Sequence, residues 1–303
     1  MWVGEGLVPR AQARVSVFDS AVQGGDAVWE GLRVYGGGVF RLAAHLDRLL
    51  ASARALAFAG VPPRERIVAA IAATLDANGM RDGCHVRLTL TRGPKLTSGM
   101  SPRWNTVGCT LIVLAEWKPP LSGSGVAGRG LRLITSSVRR NDPRCLPSRI
   151  HHANLLNNIL ARLQAEAAGA DDAIMLDVEG FVAETNSMNL FLVQDGALAT
   201  PTAEHCLPGI TRAAILGLAA RAGLPAQERR TTIEEFRAAD EVFCTGTMSE
   251  LAPVAEIDGV RIGSADPDAG HHRTGAAGPI TAQLQAAFAQ LVAAERETIQ
   301  PAR

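Results

Sequence analysis

Lysine is nearly absent from this chain. Of its 30 basic residues only Lys95 and Lys118 are lysine, and the rest are arginine. A genome rich in G and C accounts for such a bias, but chemistry that needs a side-chain amine is confined to those two positions. The cysteines Cys84, Cys109, Cys145, Cys206 and Cys244 are scattered, odd in number and without a CxxC pair. They read as reduced thiols in a cytosol, and a four-cysteine metal site is not expected. Net charge is zero at a pI near 7.1, without the basic footprint of a nucleic-acid binder. No apolar run reaches the ~18 residues that span a bilayer. Met1 to Arg10 lacks a charged-then-apolar secretory pattern. These absences predict a cytoplasmic protein with neither nucleic acid nor membrane as partner.

What is present fits a globular enzyme: 303 residues, 47% apolar and 20% charged, enough for one large domain or two ordinary ones. Alternation predicts strands over Arg14–Ser20, Val28–Tyr35 and Val39–Leu42, the last two joined by the hairpin signal Gly36-Gly37-Gly38. Leucines recurring from Leu42 to Leu56 predict a helix, and a second runs from Arg64 to Ala77. His85–Thr91 and Thr110–Glu116 are apolar strands. The stretch 118–130, rich in Pro, Gly and Ser, reads as a linker. It divides a smaller N-terminal domain, 1–120, from a larger C-terminal one, 131–303. The second half predicts a strand over Leu131–Val138 and a long helix over His152–Ala168. Strands near Ala173–Asp177 and Asn189–Val193 follow, then a helix from Thr211, a strand into Cys244-Thr245-Gly246-Thr247 and a last helix over Pro279–Ala294. The class is α/β of the α+β type in two domains. Without regular βαβ alternation a doubly wound sheet is not favoured, and Gly24-Gly25-Asp26 makes no dinucleotide fingerprint.

Several segments have both a plain and a chemical reading. Leu207-Pro208-Gly209-Ile210-Thr211-Arg212 opens a helix whose free N–H groups suit a phosphate, or it is an ordinary capped start. Thr245-Gly246-Thr247 offers hydroxyls beside a glycine that lets a ligand approach, or it is a turn. Glu184 ends a strand among neutral residues, where it holds a protonated ring nitrogen or meets solvent. Arg48, beside Asp47, pairs with it or reaches an anion. The pairs His151-His152 and His271-His272 lack the spacing of a helical metal site, so no metal is expected.

In order along the chain, Val28-Trp29-Glu30-Gly31-Leu32-Arg33, His45-Leu46-Asp47-Arg48-Leu49, Thr91-Arg92-Gly93, Phe181–Phe191, Leu207–Arg212 and Asp240–Pro253 resemble the class IV aminotransferases. These are the fold-type IV enzymes of pyridoxal phosphate, whose fold is also called D-amino-acid-aminotransferase-like, and the branched-chain branch is nearest. The resemblance implies two domains with the active site between them, and a homodimer. It implies that Arg48, Ile210, Thr211 and Thr247 hold the cofactor phosphate, and that Glu184 keeps the pyridinium nitrogen protonated. Arg33, Arg87 and Lys95 would lie on the side of a small anionic substrate.

The same frame places a lysine, the Schiff-base and proton-shuttle residue of the family, three or four residues before a recurring Asn. Counted back from Asn154, that position is His151, or Ile150 at the longer spacing. Imidazole forms no stable imine but remains an acid or base near neutrality. Tyr35 is the sole tyrosine, and Gly24 stands where the branched-chain branch carries a pocket tyrosine. Three functions remain: a family enzyme binding pyridoxal phosphate noncovalently with altered chemistry; a cofactor-independent lyase or isomerase using His151; a non-catalytic ligand-binding relative.

Overall fold

The computed structural model describes residues 1–118, 126–263 and 277–299 and gathers them into two units, each built on its own sheet. The first sheet has seven strands in the order Arg296–Thr298, Gly38–Phe40, Ala27–Tyr35, Cys84–Thr91, Thr110–Trp117, Trp2–Val3, Gly6–Leu7. Every neighbour is antiparallel. Gly36 and Gly37 take positive φ at the hairpin turn, a conformation that costs a side chain but not glycine. Side chains of a strand alternate between faces, so Val28, Leu32 and Val34 enter the core, and Glu30 enters with them. Helices Leu42–Ala55 and Arg64–Ala77 cover this face with Leu46, Leu49, Ile67 and Ile71, all fully buried.

The second sheet has nine strands and is mixed. Its path runs Ala226–Glu228, Ala197–Thr200, Asn189–Gln194, Glu241–Gly246, Glu250–Ile257, Leu131–Thr135, Asp172–Leu176, Val182–Thr185, with Val260–Arg261 paired to Glu250–Ile257. Leu131–Thr135 is parallel to both neighbours, and Ala197–Thr200 is parallel to Ala226–Glu228. Leu133, Leu190, Phe236 and Ile257 centre its core. Helices Leu156–Ala167, Ile210–Arg221 and Ile233–Ala238 belong to this unit.

Two local expectations are corrected. Residues 14–17 form no strand; Val17 and Phe18 are exposed, and Asp19 caps a short helix, Ser20–Gly24, by accepting the Ala21 N–H. The long helix begins at Leu156, not His152. Ile150–Leu155 lies beside Ala27–Tyr35 instead: Trp29 N–H donates to His151 O at 2.9 Å and Ala153 N–H to Ala27 O at 2.8 Å. These six residues therefore fold with the first unit, as does the strand Arg296–Thr298, although both fall in the stretch 131–303 expected to form the second domain. Among the described residues no helix is long and apolar enough to cross a membrane. No group of three or more His, Cys, Asp or Glu among them is placed to hold a metal. His271 and His272 lie outside the described residues.

Candidate functional site

In the first unit the helix Leu42–Ala55 turns His45, Arg48 and Ser52 to one face by their spacing of three and four. That face meets Glu30, which is fully buried. Arg48 grips the carboxylate with both arms of its guanidinium, Nε to Oε1 at 2.8 Å and Nη2 to Oε2 at 2.8 Å. His45 Nδ1 lies 2.7 Å from Oε2, and His151 Nδ1 lies 3.2 Å from Oε1. Ser52 Oγ accepts the His151 N–H at 3.1 Å. Burial pushes the Glu30 carboxyl up, but Arg48 and His151 outweigh it and hold it well below the usual carboxylate range. Burial pushes the His151 imidazole down further than Glu30 pulls it up.

Arg48 is thus joined to Glu30, while Asp47 pairs with Arg64. The Trp29 ring leans on His151, centroids 4.2 Å apart, and the Arg87 guanidinium lies 4.0 Å from the Trp29 centroid. Arg33 and Gly31 stand opposite His85 and Arg87 across the paired strands. On that face burial, with the charges of Lys118, Arg87 and Arg33, pushes the His85 imidazole down to about 4. Lys95 is buried and its Nζ donates to Gly99 O at 2.6 Å, within its own loop. Lys118 is exposed. Gly25 ends the helix Ser20–Gly24 at positive φ, a structural use of the glycine pair.

In the second unit Glu184 is again buried and held by several donors. Arg140 Nε reaches Oε1 at 2.9 Å, while Asn189 Nδ2 and the Leu207 N–H both reach Oε2 at 3.3 Å. Leu207 leads through Pro208-Gly209 into the helix Ile210–Arg221, whose start has no side-chain cap. Gly209 packs so closely that a Cβ would sit 2.0 Å from Asn189 Oδ1. This helix packs on Glu241–Gly246. At that strand's end the buried hydroxyls of Thr245 and Ser249 have no hydrogen-bond partner, and Thr247 is half-buried in the turn between them. Glu184, Ile210, Thr211 and Thr247 therefore share one unit, whereas Arg48, His151, Arg33, Arg87 and Lys95 belong to the other.

Sequence reasoning missed Glu30, His45 and Arg140. The first two had a signal: each is a titratable residue at a position where the strand or helix period demands an apolar one. Arg140 had none, since it sits outside any periodic segment.

The family described as amino-transferase class IV matches residues 27–257. The branched-chain-amino-acid aminotransferase-like protein 2 of Arabidopsis thaliana is 55% identical over 290 residues, 96% of this chain and 50% of that protein. The chain thus spans half the length of this relative. A putative branched-chain-amino-acid aminotransferase of Methanocaldococcus jannaschii is 40% identical, covering 84% of this chain and 86% of its own. Among solved structures, the T.th. branched-chain amino acid aminotransferase complexed with N-(5'-phosphopyridoxyl)-L-glutamate aligns with a TM-score of 0.85 at 34% identity, covering 97% of this chain and 94% of its own.

Proposed function

The chain belongs to the class IV aminotransferases and has their fold-type IV architecture; from that premise we propose that it binds pyridoxal phosphate noncovalently. It would act on a small amino acid, keto acid or related anionic metabolite, with His151 in the place of the family's lysine. The observation that carries this reading is the join between Glu184 and the uncapped helix start at Gly209, beside the unpartnered hydroxyls of Thr245 and Ser249. Buried hydroxyls without partners are rare in folded proteins, and a helix N-terminus favours an anion, so these residues fit a phosphate. Ile210, Thr211 and Thr247 would hold it, and Glu184, fixed by Arg140, would keep a ring nitrogen protonated. When bound, the cofactor supplies an electron sink for charge that builds on an amino acid's α-carbon.

His151 contributes proton transfer but no covalent anchor. Lys95 is tied to Gly99 O, and Lys118 opens the linker, so neither takes over. Arg33 and Arg87 supply positive charge for a substrate carboxylate. The scattered, odd-numbered cysteines of the sequence favour a reducing, cytoplasmic setting. A second reading, an acid–base lyase or isomerase without cofactor, is favoured by the contact of His151 with Glu30.

Equilibrium titration with pyridoxal phosphate separates the two. Saturable, phosphate-dependent binding is expected, with no cofactor left on Lys95 or Lys118 after borohydride, as read by mass spectrometry. His151→Gln is expected to retain binding and to lose turnover by about 10²- to 10⁴-fold. Absence of binding would sink the cofactor reading, and a covalent lysine adduct would sink the role given to His151. Binding with no turnover of any amino or keto acid would indicate the non-catalytic relative.

A further inference from the structure

We infer that Glu30 is the positioning residue for His151: its carboxylate takes the Nδ1 hydrogens of both His151 and His45, Arg48 clamps it, and Nε2 of His151 is left as the basic atom. Nothing in the family match or the relatives' names assigns Glu30 or His45 a role.

A fully buried carboxylate has no water to satisfy its roughly four lone-pair sites. Here four donors meet them: Arg48 Nε and His151 Nδ1 on Oε1, Arg48 Nη2 and His45 Nδ1 on Oε2. An ionised carboxylate only accepts, and Glu30 is held well below the usual carboxylate range by Arg48 and His151 against the effect of burial. Both imidazoles must therefore present N–H at Nδ1. Burial pushes His151 toward the neutral form. A neutral ring with hydrogen on Nδ1 has its lone pair on Nε2, which has no hydrogen-bond partner among the described residues.

The ring has little freedom to choose otherwise. The backbone of His151 is tied at both ends, N–H to Ser52 Oγ and C=O to the Trp29 N–H, and its ring rests on Trp29. The charged or titratable groups around Glu30 and His151 are Arg48 and His45 from the covering helix, with Arg87 stacked against Trp29. Glu30 is no proton relay, because a carboxylate held this far below its usual range does not take the proton. Its part is to fix tautomer and ring orientation. The tautomer assignment stands on the cluster alone; its use in turnover rests on the proposed function.

The test uses the whole protein with isotope-labelled histidine and long-range proton–nitrogen correlation near neutral pH, with His151→Gln assigning the signals. Wild type is expected to show a protonated Nδ1 and an unprotonated Nε2 at His151. In Glu30→Gln the amide offers one oxygen and one NH₂ to two imidazoles, so His151 is expected to lose the single tautomer. Any turnover should then fall by about 10²-fold in kcat, with KM within about twofold. His45→Gln, whose amide still donates to Oε2, is expected to keep the tautomer of His151. A protonated Nε2 in wild type overturns the assignment, as does an unchanged tautomer in Glu30→Gln or a lost one in His45→Gln. If Glu30→Gln does not fold, the wild-type spectrum and His45→Gln still decide. An intact tautomer in a protein without turnover counts against the proposed function and leaves the assignment standing.

Discussion

Asp172 lies buried in the second unit and accepts hydrogen bonds from the Ala173 N–H at 2.9 Å and the Thr185 hydroxyl at 3.0 Å. Burial outweighs these bonds and pushes its carboxyl up to about 6. A folded-state value above the unfolded one means that the folded protein holds the proton more tightly. The stability it contributes is present in full below the unfolded value and is lost as pH rises through about 6. Asp172→Asn removes this dependence. Between about pH 5 and about pH 8, urea unfolding is expected to shift in favour of the variant by about 1–1.5 kcal/mol. Glu30 is the opposite case, a buried carboxylate saturated by cationic and imidazole donors. Its presence was legible in principle: Val28, Glu30, Leu32 and Val34 share one face of a strand, and Leu42, His45, Leu46 and Leu49 one stripe of a helix. Each pattern contains one polar misfit, and the two misfits meet. What periodicity could not supply was the pairing itself, because it joins residues of two elements through space.

Among the elements, the start of Ile210–Arg221 packs so closely that Gly209 has no room for a Cβ. Gly209 has φ −67° and ψ 138°, which alanine adopts without strain, so its role is room and not backbone freedom. Gly209→Ala would drive Asn189 off Glu184 and off the Leu207 carbonyl, both of which its Nδ2 now serves. A loss of about 1–3 kcal/mol is expected on urea unfolding. Gly217, on the same helix with open space around its Cα, is the control: Gly217→Ala should gain about 0.5–1 kcal/mol. This helix was legible because its turn residues and its apolar run are adjacent in the chain. The start of Leu156–Ala167 was not. Ile150–Leu155 continues the helical composition, but its backbone groups go to Trp29 and Ala27, a partner more than a hundred residues away in sequence. Tertiary pairing of that kind overrides local propensity. At Arg14–Ser20 alternation alone was not enough: residues 14–17 pair with no strand among the described residues, and the end of the segment makes only an isolated bridge, Asp19 to Pro94.

For the molecule as a whole, the helix Leu156–Ala167 exposes Leu156, Ile159, Leu160 and Leu163, each 45–67% accessible and spaced to form one apolar stripe. Exposed contiguous apolar surface marks interaction sites, which supports the homodimer that the family resemblance implies. Sedimentation analysis is expected to find a dimer, and Leu160→Glu with Leu163→Glu to shift it to monomer; a monomeric wild type would remove the proposal. The composition shift at 118–130 made a two-part chain legible. The excursion of Ile150–Leu155 was not, since no change of composition marks it.

That excursion has a genetic consequence. Glu30, His45, Arg48 and Ser52 are encoded before the linker, and His151 after it, although all five meet in one unit. A recombination event at the linker would exchange the imidazole and leave its acidic and basic partners in place. The two parts of this cluster can thus be inherited separately: a residue of another kind can be placed at 151 by grafting the second half of a gene onto an unaltered first half.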